Sequence, residues 1–121
     1  MASLPRPEFG KSYSSMRNLK WSSAEKAIAR KAFDRALNQD LDAVIWQAKK
    51  MAGKIEQPSD LWDLEHYLTH RRKEINREYD YRYSVLLTVF AGLIRKGRLR
   101  EEDLQGLAED KLGHIRQMAT L

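Results

Sequence analysis

The chain contains no cysteine. That excludes disulfides, thiolate nucleophiles and thiolate-ligated zinc or iron–sulfur sites. Glycine and proline are scarce, 6 and 3 in 121 residues. Pro5 and Pro7 both stand in the first twenty residues, so the remainder carries few chain-breaking positions. No apolar run approaches the roughly 20 residues that a membrane-spanning helix needs, and residues 1–20 contain no apolar core of a secretory signal. The chain therefore reads as cytoplasmic, with no membrane span. The glycines are isolated, so neither a phosphate loop nor a dinucleotide fingerprint is present, and no Gly-x-Ser-x-Gly elbow occurs. These absences argue against an enzyme.

Charge and apolar residues are abundant. Hydrophobic residues make up 42% and charged residues 32%, with a formal net charge of +5. Basic residues are interleaved with acids, as in Arg72-Lys73-Glu74, which is the pattern of a solvated helical surface. The cluster Arg95, Lys96, Arg98 and Arg100 runs straight into Glu101, Glu102 and Asp103. Those acids would repel phosphate, so nucleic acid is not an expected partner. The positive balance still suits weak association with an acidic protein surface.

Residues 1–20 show no helical or strand period and read as a flexible tail. Residues 21–121 read as a single helical domain. Trp21-Ser22-Ser23-Ala24-Glu25 is a capping-box start: Ser22 can accept from the amide of Glu25, whose carboxylate reaches back. Leu37, Leu41, Val44, Ala48, Met51 and Ile55 then follow at alternating steps of four and three, a heptad seam that Ile45 and Trp46 broaden. With Gly53 as its end, this helix covers about 30 residues and about 45 Å. Its apolar stripe must be covered by the rest of the chain or by a second copy, and a chain this short buries only a modest core alone.

Gln57-Pro58-Ser59 breaks the helix. Ser59 is the candidate cap of the next one, with Asp60 and Asp63 in the first turn, where the helix dipole favours acids. Leu61, Leu64, Leu68 and Ile75 line one face. The most apolar stretch runs from Tyr79 to Ile94. Residues 60–95 are compatible with one helix or with two joined near Asn76–Asp80. Lys96-Gly97 closes that stretch, Arg98 to Leu107 reads as a short helix, and a last helix spans about Asp110 to Met118. The fold class is all-α: four to five helices, led by a long one, and no sheet.

Candidates for chemistry are few. His66 and His70 share a helix face at four-residue spacing, but zinc wants a third or fourth ligand and the metalloprotease His-Glu pattern is absent, so no metal site and no cofactor are expected. Trp62, Tyr67 and Arg72 are of the residue types that dominate protein interfaces. Arg72 lies ten residues after Trp62, close to three helical turns, which brings both toward one face about 15 Å apart. By spacing alone, Trp62 reads equally well as a core residue and Arg72 as plain surface.

Several segments in order resemble the fluorescence recovery protein family of cyanobacteria. They are Trp21-Ser22; Asp60-Leu61-Trp62-x-Leu64; Tyr67-Leu68-x-x-Arg71-Arg72-x-Glu74-Ile75; Tyr79-Asp80-Tyr81-Arg82-Tyr83-Ser84-Val85-Leu86; Val89-Phe90-Ala91; Gly97; and Asp110-Lys111. The resemblance runs from Trp21 to the C-terminus. It implies an antiparallel helical homodimer with a small C-terminal helical head. Leu61 would then be a buried interface leucine, and Leu37, Leu41, Val44, Ile45 and Ala48 would line the same contact. It also implies a non-catalytic regulator that binds the photoactivated orange carotenoid protein, through that protein's C-terminal domain, and speeds its return to the inactive orange form. Arg72 matches the arginine on which that activity depends. Trp62 lies beside it, with Glu65, His66 and Tyr67 completing the partner-binding patch.

Four positions depart from the family pattern. Where His-Asp is usual after Trp-x-Leu, this chain has Glu65-His66; Thr88 replaces an aromatic; His114 replaces a lysine. These bear on the partner surface rather than on the fold. They leave open a related carotenoid-domain protein as partner, or a structural or signalling homodimer with a different one.

Overall fold

The computed structural model describes residues 19–121; the predicted tail, residues 1–20, lies almost wholly outside them. Helix α1 runs Ser23–Gly53, α2 Pro58–Glu78, α3 Leu86–Arg95 and α4 Glu109–Ala119, with a 3-10 turn at Glu101–Leu104 between the last two. Among the described residues there is no strand, only an isolated bridge between Gln105 and Leu107. The all-α expectation holds.

The start of α1 is the capping box read from the sequence. The Glu25 amide donates to Ser22 Oγ at 3.1 Å and the Ser22 amide to Glu25 Oε1 at 3.0 Å. Gly53 is the last helical residue of α1 and Lys54 its C-cap. At α2 the expected Ser59 cap is displaced: Gln57 is the N-cap and Pro58 the first helical residue. The missing amide of proline costs nothing at that position and its fixed φ suits a helix start. Asp60 Oδ2 then accepts the amides of Glu56 at 3.0 Å and Gln57 at 3.1 Å. The open question over residues 60–95 resolves into two helices, with residues 79–85 as the link. The link is aromatic: Tyr81 meets Phe33 edge-on at 4.8 Å between ring centroids and Tyr83 meets Trp21 at 5.3 Å. Side chains that must turn inward to bury their rings interrupt the helical period there. Gly97 has φ +74, the left-handed cap that glycine adopts without penalty. The short helix expected over 98–107 shrinks to the single 3-10 turn.

The core lies at one end. Ala29, Ala32, Phe33 and Ala36 from the first half of α1 pack against Leu86, Leu87, Phe90, Ala91 and Leu93 of α3, with Leu99, Leu104, Leu107 and Ile115 closing the far side. Phe90 fills the centre, fully buried. This is the head. The second half of α1 and the whole of α2 leave it as a helical hairpin, the arm, and α2 contains no buried residue.

A buried ion pair ties α4 to the start of α1. Lys111 Nζ lies 3.1 Å from both Glu25 oxygens, donates to the Lys20 carbonyl at 2.6 Å, and sits 5.0 Å from the Trp21 ring centroid. Burial alone would raise the Glu25 pKa. The amides of Ser22 and Ala108 and the Lys111 ammonium outweigh it and hold the carboxyl at about 2, below its ordinary 4.5. A depressed carboxyl stabilises the fold above its unfolded pKa, and that stabilisation is lost as pH falls through the folded value. Urea unfolding should therefore lose about 3 kcal/mol from this group between pH 5 and pH 2. Glu25→Gln should lower stability at neutral pH, by leaving Lys111 buried without its partner, and flatten the acid slope. A variant with the wild-type acid slope would contradict this assignment.

Candidate functional site

The arm carries the apolar surface that the head does not use. Ile45 is 52% exposed, Trp46 63%, Leu61 47% and Trp62 58%, and Leu41 and Leu68 are exposed as well. In a protein with a packed core, a run of large apolar side chains this open marks a contact surface. The six residues predicted to line an interface divide. Leu41, Ile45 and Leu61 are exposed; Val44 and Ala48 are half-buried between the two arm helices. Leu37 is half-buried and packs on the subunit's own core, because it falls one turn after Phe33 and still faces the head.

The predicted partner-binding residues all stand on α2. Trp62 is open to solvent, which removes the core reading of it within the subunit. His66 is exposed and lies 3.8 Å from Glu65, whose other oxygen accepts the Thr69 hydroxyl at 2.9 Å. Glu65 thus keeps a carboxylate beside the position where the family pattern has one. Tyr67 is half-buried. Arg72 is exposed and makes no ion pair among the described residues. Ten residues at about 100° each leave Trp62 and Arg72 roughly 80° apart around the helix axis. The patch therefore wraps partway round α2, a correction to the single-face reading.

His66 and His70 gather no third ligand: among the described residues no group of three His, Cys, Asp or Glu side chains is placed to hold a metal ion. His70 instead pairs with Glu74 at 3.4 Å. No described helix is long and apolar enough to cross a membrane. Of the other departures, Thr88 is exposed on the head with its hydroxyl 3.6 Å from Met118 Sδ. It lines a groove of about 650 Å³ whose walls include Arg77, Arg82, Arg95 and Lys96. His114 is half-buried on α4.

What residue spacing did not reveal is a polar node beneath the arm. Asp40 is only 5% exposed. It accepts from Arg71 Nη2 at 3.1 Å and from the Tyr79 hydroxyl at 2.7 Å, and Arg98 Nε lies 3.0 Å away. Arg71 Nη1 also reaches Glu74 at 2.5 Å. Burial and the neighbouring Asp40 carboxylate push the Tyr79 hydroxyl well above its ordinary pKa, so it stays a donor at every physiological pH. Burial works against the charge on Arg71, but its bonds to Glu74 and Asp40 prevail and raise its pKa. The one sequence signal for the node is an aspartate on the inward side of an amphipathic helix, where a carboxylate needs partners.

A family model described as photoprotection regulator fluorescence recovery protein matches residues 21–119. The fluorescence recovery protein of Synechocystis sp. is 39% identical over 101 residues, which is 84% of this chain and 93% of that protein. Two solved structures are similar throughout. The fluorescence recovery protein of Fremyella diplosiphon has a TM-score of 0.81 at 38% identity, and that of Synechocystis sp. a TM-score of 0.80 at 38% identity. Each covers 84% of this chain and 100% of its own.

Proposed function

Because the chain belongs to the fluorescence recovery protein family of photoprotection regulators, we propose that it binds the photoactivated orange carotenoid protein, or a related carotenoid-domain protein, and accelerates its return to the orange form. It does so as a homodimer and without catalysing a covalent step. The observation that carries this reading is the arm: Trp62 and Arg72 stand open on a helix that buries no residue in its own subunit.

Two needs meet on that arm. The exposed Leu41, Ile45 and Leu61 require a cover, and a second antiparallel copy supplies the same apolar stripe in return, as two-fold contacts do. Trp62 and Arg72 then remain to grip the partner, the indole as an apolar anchor and the guanidinium as a charge-assisted donor to a carboxylate. Glu65, His66 and Tyr67 surround them. A protein that binds the compact-like arrangement of an interconverting partner more tightly than the open one shifts its population or lowers the barrier between them. Each 1.4 kcal/mol of barrier is worth about tenfold in rate.

The test is to follow the red-to-orange decay of purified carotenoid protein in the dark by absorbance. Adding this protein at stoichiometric concentration is expected to shorten the decay at least about tenfold. An unchanged decay with full-length protein and with its isolated C-terminal domain would remove the proposal and favour a family fold adapted to a different partner, the reading that Glu65-His66, Thr88 and His114 leave open.

A further inference from the structure

We propose that Asp40 is a positioning residue for the partner-binding arm: one buried carboxylate that fixes the roll of α2 and its angle to the head, and so aims Arg72. The inference rests on the reading above only in taking Arg72 as a gripping residue.

Helix α1 changes character at Asp40. Before it, Ala29, Ala32, Phe33 and Ala36 are buried in the head; after it, no residue of α1 is buried. Asp40 is thus the point where the helix leaves the core and becomes arm. Three other parts of the chain converge on it there: Arg71 from α2, Tyr79 from the link after α2, and Arg98 from the turn after α3. A carboxylate has about four lone-pair directions, and these donors take up most of them. The remaining charge is balanced nearby. Arg71 shares Glu74, Arg98 lies 4.0 Å from Glu78, and Glu78 also pairs with Lys96.

The geometry matters because, among the described residues, the only other ion pairs from α2 to the rest of the subunit are those of Glu78 with Lys96 and Arg98 at its very end. The helix buries no residue, and apolar contact is non-directional, so packing of the half-buried Leu64 and Ile75 permits it to roll. Charge-assisted hydrogen bonds do not permit that. Neighbouring residues on a helix diverge by about 100°; with Arg71 drawn inward onto Asp40 and Glu74, Arg72 must project outward. Tyr79 extends the restraint to the end of α2 and Arg98 extends it to the head. The arm and head are therefore one rigid piece, and the partner-facing arginine has a defined position relative to both.

The absence of cysteine permits a direct test. Asp63→Cys on the arm and Gln117→Cys on the head, both exposed positions, carry spin labels, and the labelled protein is diluted into excess unlabelled protein. Pulsed electron resonance should give one narrow distance distribution in the parent and a broadened or shifted one after Asp40→Asn, with helix content by circular dichroism unchanged. An identical distribution in parent and Asp40→Asn overturns the proposal, whatever the partner does. If Asp40→Asn does not fold, Tyr79→Phe, which removes one donor and keeps the ring against Phe33, should broaden the distribution partially, and no change there overturns it equally. The second readout is the recovery assay. Asp40→Asn should slow the accelerated decay on the order of tenfold. A decay accelerated as fully as by the parent would mean that Asp40 does not act through Arg72.

Discussion

Leu61→Glu is expected to separate the proposed dimer into single subunits. Leu61 is 47% exposed in the subunit, and Leu41 and Ile45 are exposed likewise. A two-fold contact brings each substituted position into the seam, so two carboxylates would lose water at once. Burial of an uncompensated charge costs several kcal/mol, and every 1.4 kcal/mol is about tenfold in the association constant. The dimer constant should weaken by on the order of a thousandfold or more, which light scattering coupled to gel filtration reads directly. The fold of each subunit should persist, because the core lies in the head and includes no residue of α2; helix content and cooperative unfolding check this. A Leu61→Glu protein that still elutes and scatters as a dimer would place the contact elsewhere.

Arg72→Leu is expected to abolish the acceleration of red-to-orange return while leaving stability and assembly intact. Arg72 is exposed and takes part in no ion pair of the described residues, so its loss strands no buried acid. That distinguishes it from its neighbour: Arg71→Leu removes one donor from the buried Asp40, which keeps Tyr79 and Arg98, and one from Glu74, and should destabilise the fold by about 1–3 kcal/mol. Truncation of a central arginine in an interface commonly costs 2 kcal/mol or more, equivalent to at least about thirtyfold in rate if the contact forms in the barrier state. The pair of substitutions therefore separates gripping from folding at adjacent positions. Retained acceleration by Arg72→Leu would move the grip to another surface, such as the basic groove beside Thr88.

Much of this was legible before any coordinates. The capping box at Ser22 and Glu25, the end of α1 at Gly53, the break at Pro58, the glycine cap at Gly97 and the last helix all depend on interactions within a few residues, and local sequence encodes them. Where reading along the chain failed, the cause was local at one helix start and non-local elsewhere. The Ser59 cap gave way to Gln57 because Pro58 suits the first helical position. The helix boundary within 60–95 was undecided because apolar and aromatic residues continue through it without a break; the rings of Tyr79, Tyr81 and Tyr83 face Phe33 and Trp21, contacts 46 to 62 residues away that no local period records. Leu37 kept the heptad step yet faces the head.

The order of helices, the apolar stripe of α1 and the presence of Trp62 and Arg72 on one helix were decided by the sequence itself, since capping, periodicity and spacing are properties of neighbouring residues. Only tertiary structure decided that the head takes the first half of α1 and leaves the second half open, because that depends on how much apolar surface α3, α4 and the 3-10 turn can cover. It alone also brought Asp40, Arg71, Tyr79 and Arg98 onto one carboxylate. Their separation along the chain hides the contact, and the cost of burying a charge unpaired requires it.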